Sequence, residues 1–198
     1  MKYLALLILM LFVSASDDRL LIHRLIVQPS SSLTIDGATN VNRFQCAIAR
    51  YAGNDTLVLH EGVPNTRPVF VKGSVGLDAS SFDCGLALMT SDFLKTINAN
   101  KYPSIVIDFI SFERTPQYEG GGEEFKGILK ISIGGVTRLF EVDCAIETSP
   151  SGIIHLTGSK DFTFKDFGMT PPTRALGFVK AKETLNVNFK LQLLLDTN

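Results

Sequence analysis

Residues 82–109 read FDCGLALMTSDFLKTINANKYPSIVIDF, and this stretch decides the architecture. It begins as the end of a strand, passes through one short helix and leaves as a new strand. Thr90 or Ser91 can cap the helix by accepting a backbone N–H, and Asp92 suits the positive end of its dipole. Phe93, Leu94 and Ile97 follow at helical spacing and make one side apolar. Asn98 and Asn100 weaken the helix, while Pro103 cannot continue it and pushes Tyr102 towards extended backbone. The run from Ile105 to Phe109, β-branched and aromatic, is then a strand. A lone amphipathic helix between two strands is expected to lie over one end of a β-rich domain.

Alternation of apolar and polar residues dominates the rest of the chain. Arg24 to Val27 reads as a first strand stopped by Pro29, and Leu33-Thr34-Ile35 as a second. From Val41 to Ile48 the apolar face carries Phe44, Cys46 and Ile48. Val69, Val71, Val75 and Leu77 share one face, interrupted at Gly73, where a bend or bulge is expected. Leu129, Ile131 and Ile133 alternate with Lys130 and Ser132, and Gly134-Gly135 marks a two-residue hairpin. The returning strand puts Phe140, Val142, Cys144 and Ile146 inward. Ile153 to Gly158 reads as a strand, residues 160–168 as a helical turn or short strand, and Leu185 to Leu193 as the clearest amphipathic strand. About eight strands with one-sided apolar faces predict an all-β fold, an antiparallel barrel with the short helix at one end.

The chain has 198 residues, 45% of them hydrophobic, enough for one domain with a sizeable core. Its formal net charge is −1 and it has no basic block, so the sequence gives no sign of nucleic-acid binding or of an electrostatic membrane patch. Lys2 is a minimal positive start, residues 3–13 are apolar but too short to cross a bilayer as a helix, and Val13-Ser14-Ala15 fits the small-residue cleavage rule. Residues 1–16 are therefore expected to be a signal peptide. That leaves one domain over 17–198, no transmembrane helix after removal, and a periplasmic or secreted location. Export permits disulfides. Two arrangements of the three cysteines stay open: a Cys46–Cys84 bridge with Cys144 buried and free, or three buried thiols.

No catalytic constellation stands out. His23, His60 and His155 are the only histidines, His60 and His155 are expected as exposed strand ends, and none has ligand spacing with Cys or another His. Ser91 beside Asp92 has no His or oxyanion motif with it. Asp161 and Asp166 sit among Lys160 and Lys165 in a turn-rich segment, which favours a solvated turn over a glycosidase pair. Gly120-Gly121-Gly122 lacks the Lys-Ser/Thr and the following helix of a phosphate loop and reads as a long hairpin tip. No enzymatic activity, cofactor or metal is expected.

A set of short motifs in order resembles the YceI-like family. They are Ser32 to Val41 with Phe44; Met89 to Asp92 with Phe93; Lys101-Tyr102-Pro103-Ser104-Ile105; Gly127-Ile128-Leu129; Ile133 to Arg138; and Asp166-Phe167-Gly168-Met169. The resemblance covers roughly residues 24 to 195. Asp83-Cys84-Gly85 and Met89 stand where many members carry His and Arg-Asp. It implies a lipocalin-like barrel whose interior holds a polyisoprenoid, a quinone-like lipid or a similar long amphiphile. Each buried methylene contributes roughly 0.8 kcal/mol, so a lined tunnel needs few polar groups. Alternation then nominates Phe44, Ile48, Ile107, Phe109, Leu129, Ile131, Phe140, Val142, Phe189 and Leu191 as the lining, with Met89, Phe93 and Ile97 of the helix at the entrance or plugging one end. The competing reading is a filled barrel that meets partners through its outer face. A homodimer stays open in either case.

Overall fold

The computed structural model describes residues 21–48, 51–62, 66–117 and 122–196. The expected signal peptide, and Gly120 and Gly121 of the glycine run, lie outside them. In chain order the strands are β1 (Leu21–Val27), β2 (Ser32–Ala38), β3 (Arg43–Ile48), β4 (Thr56–Glu61), β5 (Val69–Lys72), β6 (Ser74–Asp78), β7 (Ser104–Phe112), β8 (Glu123–Ile133), β9 (Val136–Thr148), β10 (Ile154–Thr163), β11 (Thr173–Arg174), β12 (Val179–Lys180) and β13 (Thr184–Asp196). Helix α1 (Ala87–Thr96) precedes β7. The expected all-β antiparallel barrel is what forms.

Eight strands close the ring in the order β1-β4-β5-β7-β8-β9-β10-β13, and β13 pairs back to β1. Every ladder is antiparallel. Five long strands, β7 to β10 and β13, run the whole height. The two halves of the barrel differ in which short strands complete them. In one half β13 pairs with β1 through residues 193–196, and β7 meets β5 at Ser111. In the other, β13 pairs with β2 through residues 186–190, and β7 pairs with β6 through residues 104–108.

The fork in β13 leaves no backbone group stranded. At Gln192, between the two ladders, the N–H donates to Ser31 Oγ at 3.0 Å and the carbonyl accepts from Gln28 N–H at 2.8 Å. Ser31 is buried for this purpose. On β7 the corresponding break falls at Gly73. A Cβ there would lie 2.0 Å from the Phe109 carbonyl, and the Gly73 carbonyl accepts from Phe109 N–H, so only glycine allows the approach. The bend also changes which side chains point inward. Val75 and Leu77 are buried as expected, but Val69 and Val71 are exposed, and Phe70 packs against the core instead.

The half completed by β1, β4 and β5 is packed solid. Leu25, Leu57, Leu59, Phe112, Phe125, Ile146, Leu156 and Leu193 are buried in it. A chain of aromatic contacts runs up its interior: Phe125 to Phe112 at 4.7 Å, Phe112 to Phe70 at 5.0 Å, Phe70 to Phe109 at 5.6 Å, and Phe109 to Phe189 at 5.7 Å. Such ring pairs each add about 0.5–1.5 kcal/mol beyond their burial. The Phe189 ring lies over Gly158 on the next strand, where a Cβ would be 2.2 Å from it. This hinge of aromatic over glycine marks the waist of the barrel.

In the other half, among the described residues, no ladder joins β3 to β6. Three devices span the gap. Cys46 on β3 is disulfide-bonded to Cys84, and Ala47 forms a bridge with Asp83. Tyr51 OH donates to Asp55 Oδ2 at 2.5 Å, and the same oxygen accepts from Gly76 N–H of β6 at 2.9 Å. Helix α1 then crosses this end. It starts a turn earlier than the sequence suggests, with Leu86 at the N-cap position and no side-chain cap. Thr90 is inside the helix, and its Oγ1 accepts from Cys84 N–H instead. The covalent and backbone ties at residues 83 and 84 replace the missing cap. Strand β10 also runs further than its sequence suggests, to Thr163, because residues 160–163 pair with residues 184–187 of β13. A 3₁₀ turn, Phe164–Phe167, follows and ends at left-handed Gly168.

Candidate functional site

The open half encloses a cavity of about 280 Å³. That is at the low end of ordinary small-molecule sites, roughly 300–1,000 Å³. Its walls are apolar side chains on the inner faces of the strands: Leu33 and Ile35 from β2, Phe44 and Cys46 from β3, Ile105 and Ile107 from β7, Ile131 and Ile133 from β8, Phe162 from β10, and Leu185 and Val187 from β13. Met89 and Phe93 of α1, with Ile97 at its C-cap, form the roof. The turn after β10 adds Phe164, Phe167 and Met169. The Phe109–Phe189 pair at the waist lies beneath, around a second space of only about 20 Å³.

Few polar groups reach the cavity, and the ones that do already hold hydrogen bonds within the protein. Thr39 Oγ1 donates to Asn42 Oδ1 at 2.7 Å. Thr96 Oγ1 donates to the Asp92 carbonyl at 2.8 Å. Thr163 Oγ1 accepts from Asp166 N–H in a capping box. Arg174 and Asp92 form a bidentate pair at the mouth, through Arg174 Nε to Oδ2 at 2.5 Å and its Nη2 to Oδ1. The Asp92 carboxylate raises the Arg174 pKa further still. This pair ties the β11–β12 hairpin to α1 across 82 residues of sequence. A cavity whose polar rim is self-satisfied rewards an apolar occupant, since nothing inside calls for a polar one.

Of the residues nominated from sequence, the structure brings Phe44, Met89, Phe93, Ile97, Ile107 and Ile131 together around this cavity. Ile48, Phe109, Phe189 and Leu191 border the small space at the waist instead. Leu129 and Val142 are buried in solid core. Phe140 backs the wall, in edge contact with Phe162 at 4.8 Å and tilted against Phe167 at 5.7 Å. All point inward, but they lie below or behind the cavity. The segments between Phe162 and Val187, and the Asp92–Arg174 pair, are site residues that alternation missed.

Cys144 is free and buried. Loss of solvent pushes its thiol up to about 12, which disfavours the thiolate and suits a core side chain. His60 and His155 lie one residue inside the ends of their strands, half-buried on the outer faces. Among the described residues no group of three or more His, Cys, Asp or Glu side chains could hold a metal ion, and no helix is long and apolar enough to cross a membrane.

Solved structures share this architecture. A polyisoprenoid binding domain from Saccharophagus degradans, implicated in plant cell wall breakdown, superposes with a TM-score of 0.60 at 11% identity, over 87% of this chain and 98% of its own. BcnA of Burkholderia cenocepacia gives 0.59 at 14% identity, over 82% and 95%. The YceI protein of Campylobacter jejuni gives 0.51 at 17% identity, over 65% and 74%. The fold is thus that of the YceI-type barrels. No family model matches the sequence, and no curated protein does.

Proposed function

We propose that this protein is an exported, non-catalytic carrier that holds the chain of a polyisoprenoid, a quinone-like lipid or a similar long amphiphile in the open half of its barrel. The observation that carries the reading is the apolar cavity with a self-satisfied polar rim. The polyisoprenoid-binding neighbour on the same fold, and the signal-like residues 1–16, support it. A cavity of this size takes part of a long chain. The remainder, with the head group, lies at the mouth between α1 and the β11–β12 hairpin, where Arg174, Asn42 and Thr39 are at hand. The filled-barrel reading describes only the half below the waist.

The test is native mass spectrometry of the mature protein purified without detergent, then organic extraction and identification of the lipid. A stoichiometric isoprenoid or quinone-like molecule is the expected result. An apo mass that stays unchanged after incubation with polyprenyl lipids overturns the reading. Val187→Phe, which fills the cavity at a cost of about 1–3 kcal/mol if it overpacks, is expected to abolish loading while the barrel still melts cooperatively.

A further inference from the structure

Three segments distant in sequence meet at the cavity mouth, and each exposes large apolar side chains. The loop after β2 exposes Val41 (67%), the first turn of α1 exposes Leu88 (59%), and the β11–β12 hairpin exposes Leu176 (101%) and Phe178 (79%). The segments are fastened to one another. Asn40 exchanges hydrogen bonds with Lys180 and donates from Nδ2 to the Phe178 carbonyl at 2.8 Å. Arg174 holds Asp92, and Leu88 lies one helical turn before Asp92 on that same flank. Ala175 and Leu176 both adopt left-handed backbone, φ 50 and 55°, which residues with a Cβ do only at a cost. Nothing in the hydrophobic core accounts for a strained tip that carries two exposed large apolar side chains.

In the loop after β2 and in the β11–β12 hairpin, the exposed charges are all cations. Residues 37–43 and 172–182 contain Arg43, Arg174, Lys180 and Lys182; the flanking Asp36 and Glu183 are half-buried and accept hydrogen bonds from Gln45, Asn188 and Lys165 N–H, and Asp83 lies just before α1. Asp92 answers only Arg174. The chain as a whole is close to neutral, so the positive rim is assembled by the fold. Exposed apolar tips set among basic side chains are the pattern of interfacial membrane contact, in which apolar groups enter the acyl boundary and cations meet anionic headgroups.

We propose that the mouth end of the barrel docks on an anionic lipid membrane, with Leu176 and Phe178 inserted and Arg43, Lys180 and Lys182 at the headgroup level. An apolar chain then passes between bilayer and cavity without crossing water. That last consequence rests on the carrier reading; the docking itself does not.

The experiment is co-sedimentation of the mature protein with extruded vesicles, phosphatidylcholine alone or mixed with phosphatidylglycerol, together with loading of geranylgeraniol from ethanol read by native mass. The wild type is expected to sediment with the anionic vesicles. Leu176→Ser with Phe178→Ser is expected to lower partitioning at least tenfold, and Lys180→Glu with Lys182→Glu to erase the preference for phosphatidylglycerol. Both double variants are expected to load geranylgeraniol like the wild type, since none of these side chains lines the cavity. Docking is overturned if the wild type stays in solution with both vesicles, or if the apolar double variant sediments as the wild type does. It is also overturned if that variant only converts a dimer to a monomer by light scattering. A wild type that loads geranylgeraniol but ignores vesicles ends the docking proposal and leaves the carrier reading intact; one that sediments but never loads does the reverse.

Discussion

The two ends of this barrel are built on the same five long strands and differ in what completes them. Below the waist β1, β4 and β5 close the ring with hydrogen bonds, and the interior is filled by Phe112, Phe125 and the leucines of β4. Above it β2, β3 and β6 leave a gap that is held by a disulfide, a single bridge and a Tyr–Asp contact, under a helix that buries none of its residues completely. The lower half stabilises; the upper half keeps space. A site for an apolar chain needs both, because the free energy lost by leaving a cavity unfilled must be offset elsewhere in the same sheet.

Truncations test this contrast most strongly. Phe112→Ala is expected to cost about 3–5 kcal/mol, while Ile133→Ala, on the cavity wall and half-buried, costs less than about 2 kcal/mol and weakens lipid loading. Urea unfolding of both variants decides the point, and equal losses would erase the distinction between the halves. Next comes the seam. The Cys46–Cys84 bridge closes a loop of 38 residues, so Cys46→Ser with Cys84→Ser is expected to remove about 2–4 kcal/mol. That lowers Tm by about 5–15 °C in scanning calorimetry.

Alkaline titration probes the same boundary with a smaller effect. Tyr51 is pushed up to about 12, first by burial and then by its hydrogen bond to Asp55, and Cys144 up to about 12 by burial. Both folded values lie above the unfolded ones, so their contribution is complete below about pH 9 and is lost as pH rises towards 12. The slope is at most about 1.4 kcal/mol per pH unit for each group. Tm measured from pH 8 to 11 is expected to fall, and Tyr51→Phe to flatten the part of the fall that begins near pH 10. The smallest effect on stability is at the mouth. Arg174→Ala removes an ion pair at the solvent boundary, which contributes little to stability. Tm is expected to hold while a bound polyprenol escapes several-fold faster in a dilution assay.

Much of the lower half is legible in the sequence, because period-two alternation reports which side chains point inward. Leu129, Val142, Phe189 and Leu191 are read correctly on that count. Alternation carries no information on height along the barrel axis, and height separates a cavity wall from a packed core. That is why Phe109 and Phe189 are nominated as lining and turn out to border the waist. Val69 and Val71 mislead for a different reason: the bend at Gly73 separates β5 from β6, and alternation cannot be carried across it. The pairing of Asp92 with Arg174 has no local signature at all. A usable hint was the density of large apolar residues from Phe162 to Met169, too many for a solvated turn.

The forked strand has a consequence for how the molecule comes into being. Residues 31 and 192 are partners across 161 positions, and β13 is the neighbour that β1, β2 and β10 all require. Local hairpins such as β8–β9 can form early, but neither circumference is complete until the final strand arrives. Such long-range closure is slow, since loop entropy is lost before the contacts that reward it are made. A nascent chain lacking residues beyond 184 therefore has no barrel to fold into. Its unpaired strand edges need shielding until β13 has been made, and that one late insertion then seals the stable half and shapes the hollow one together.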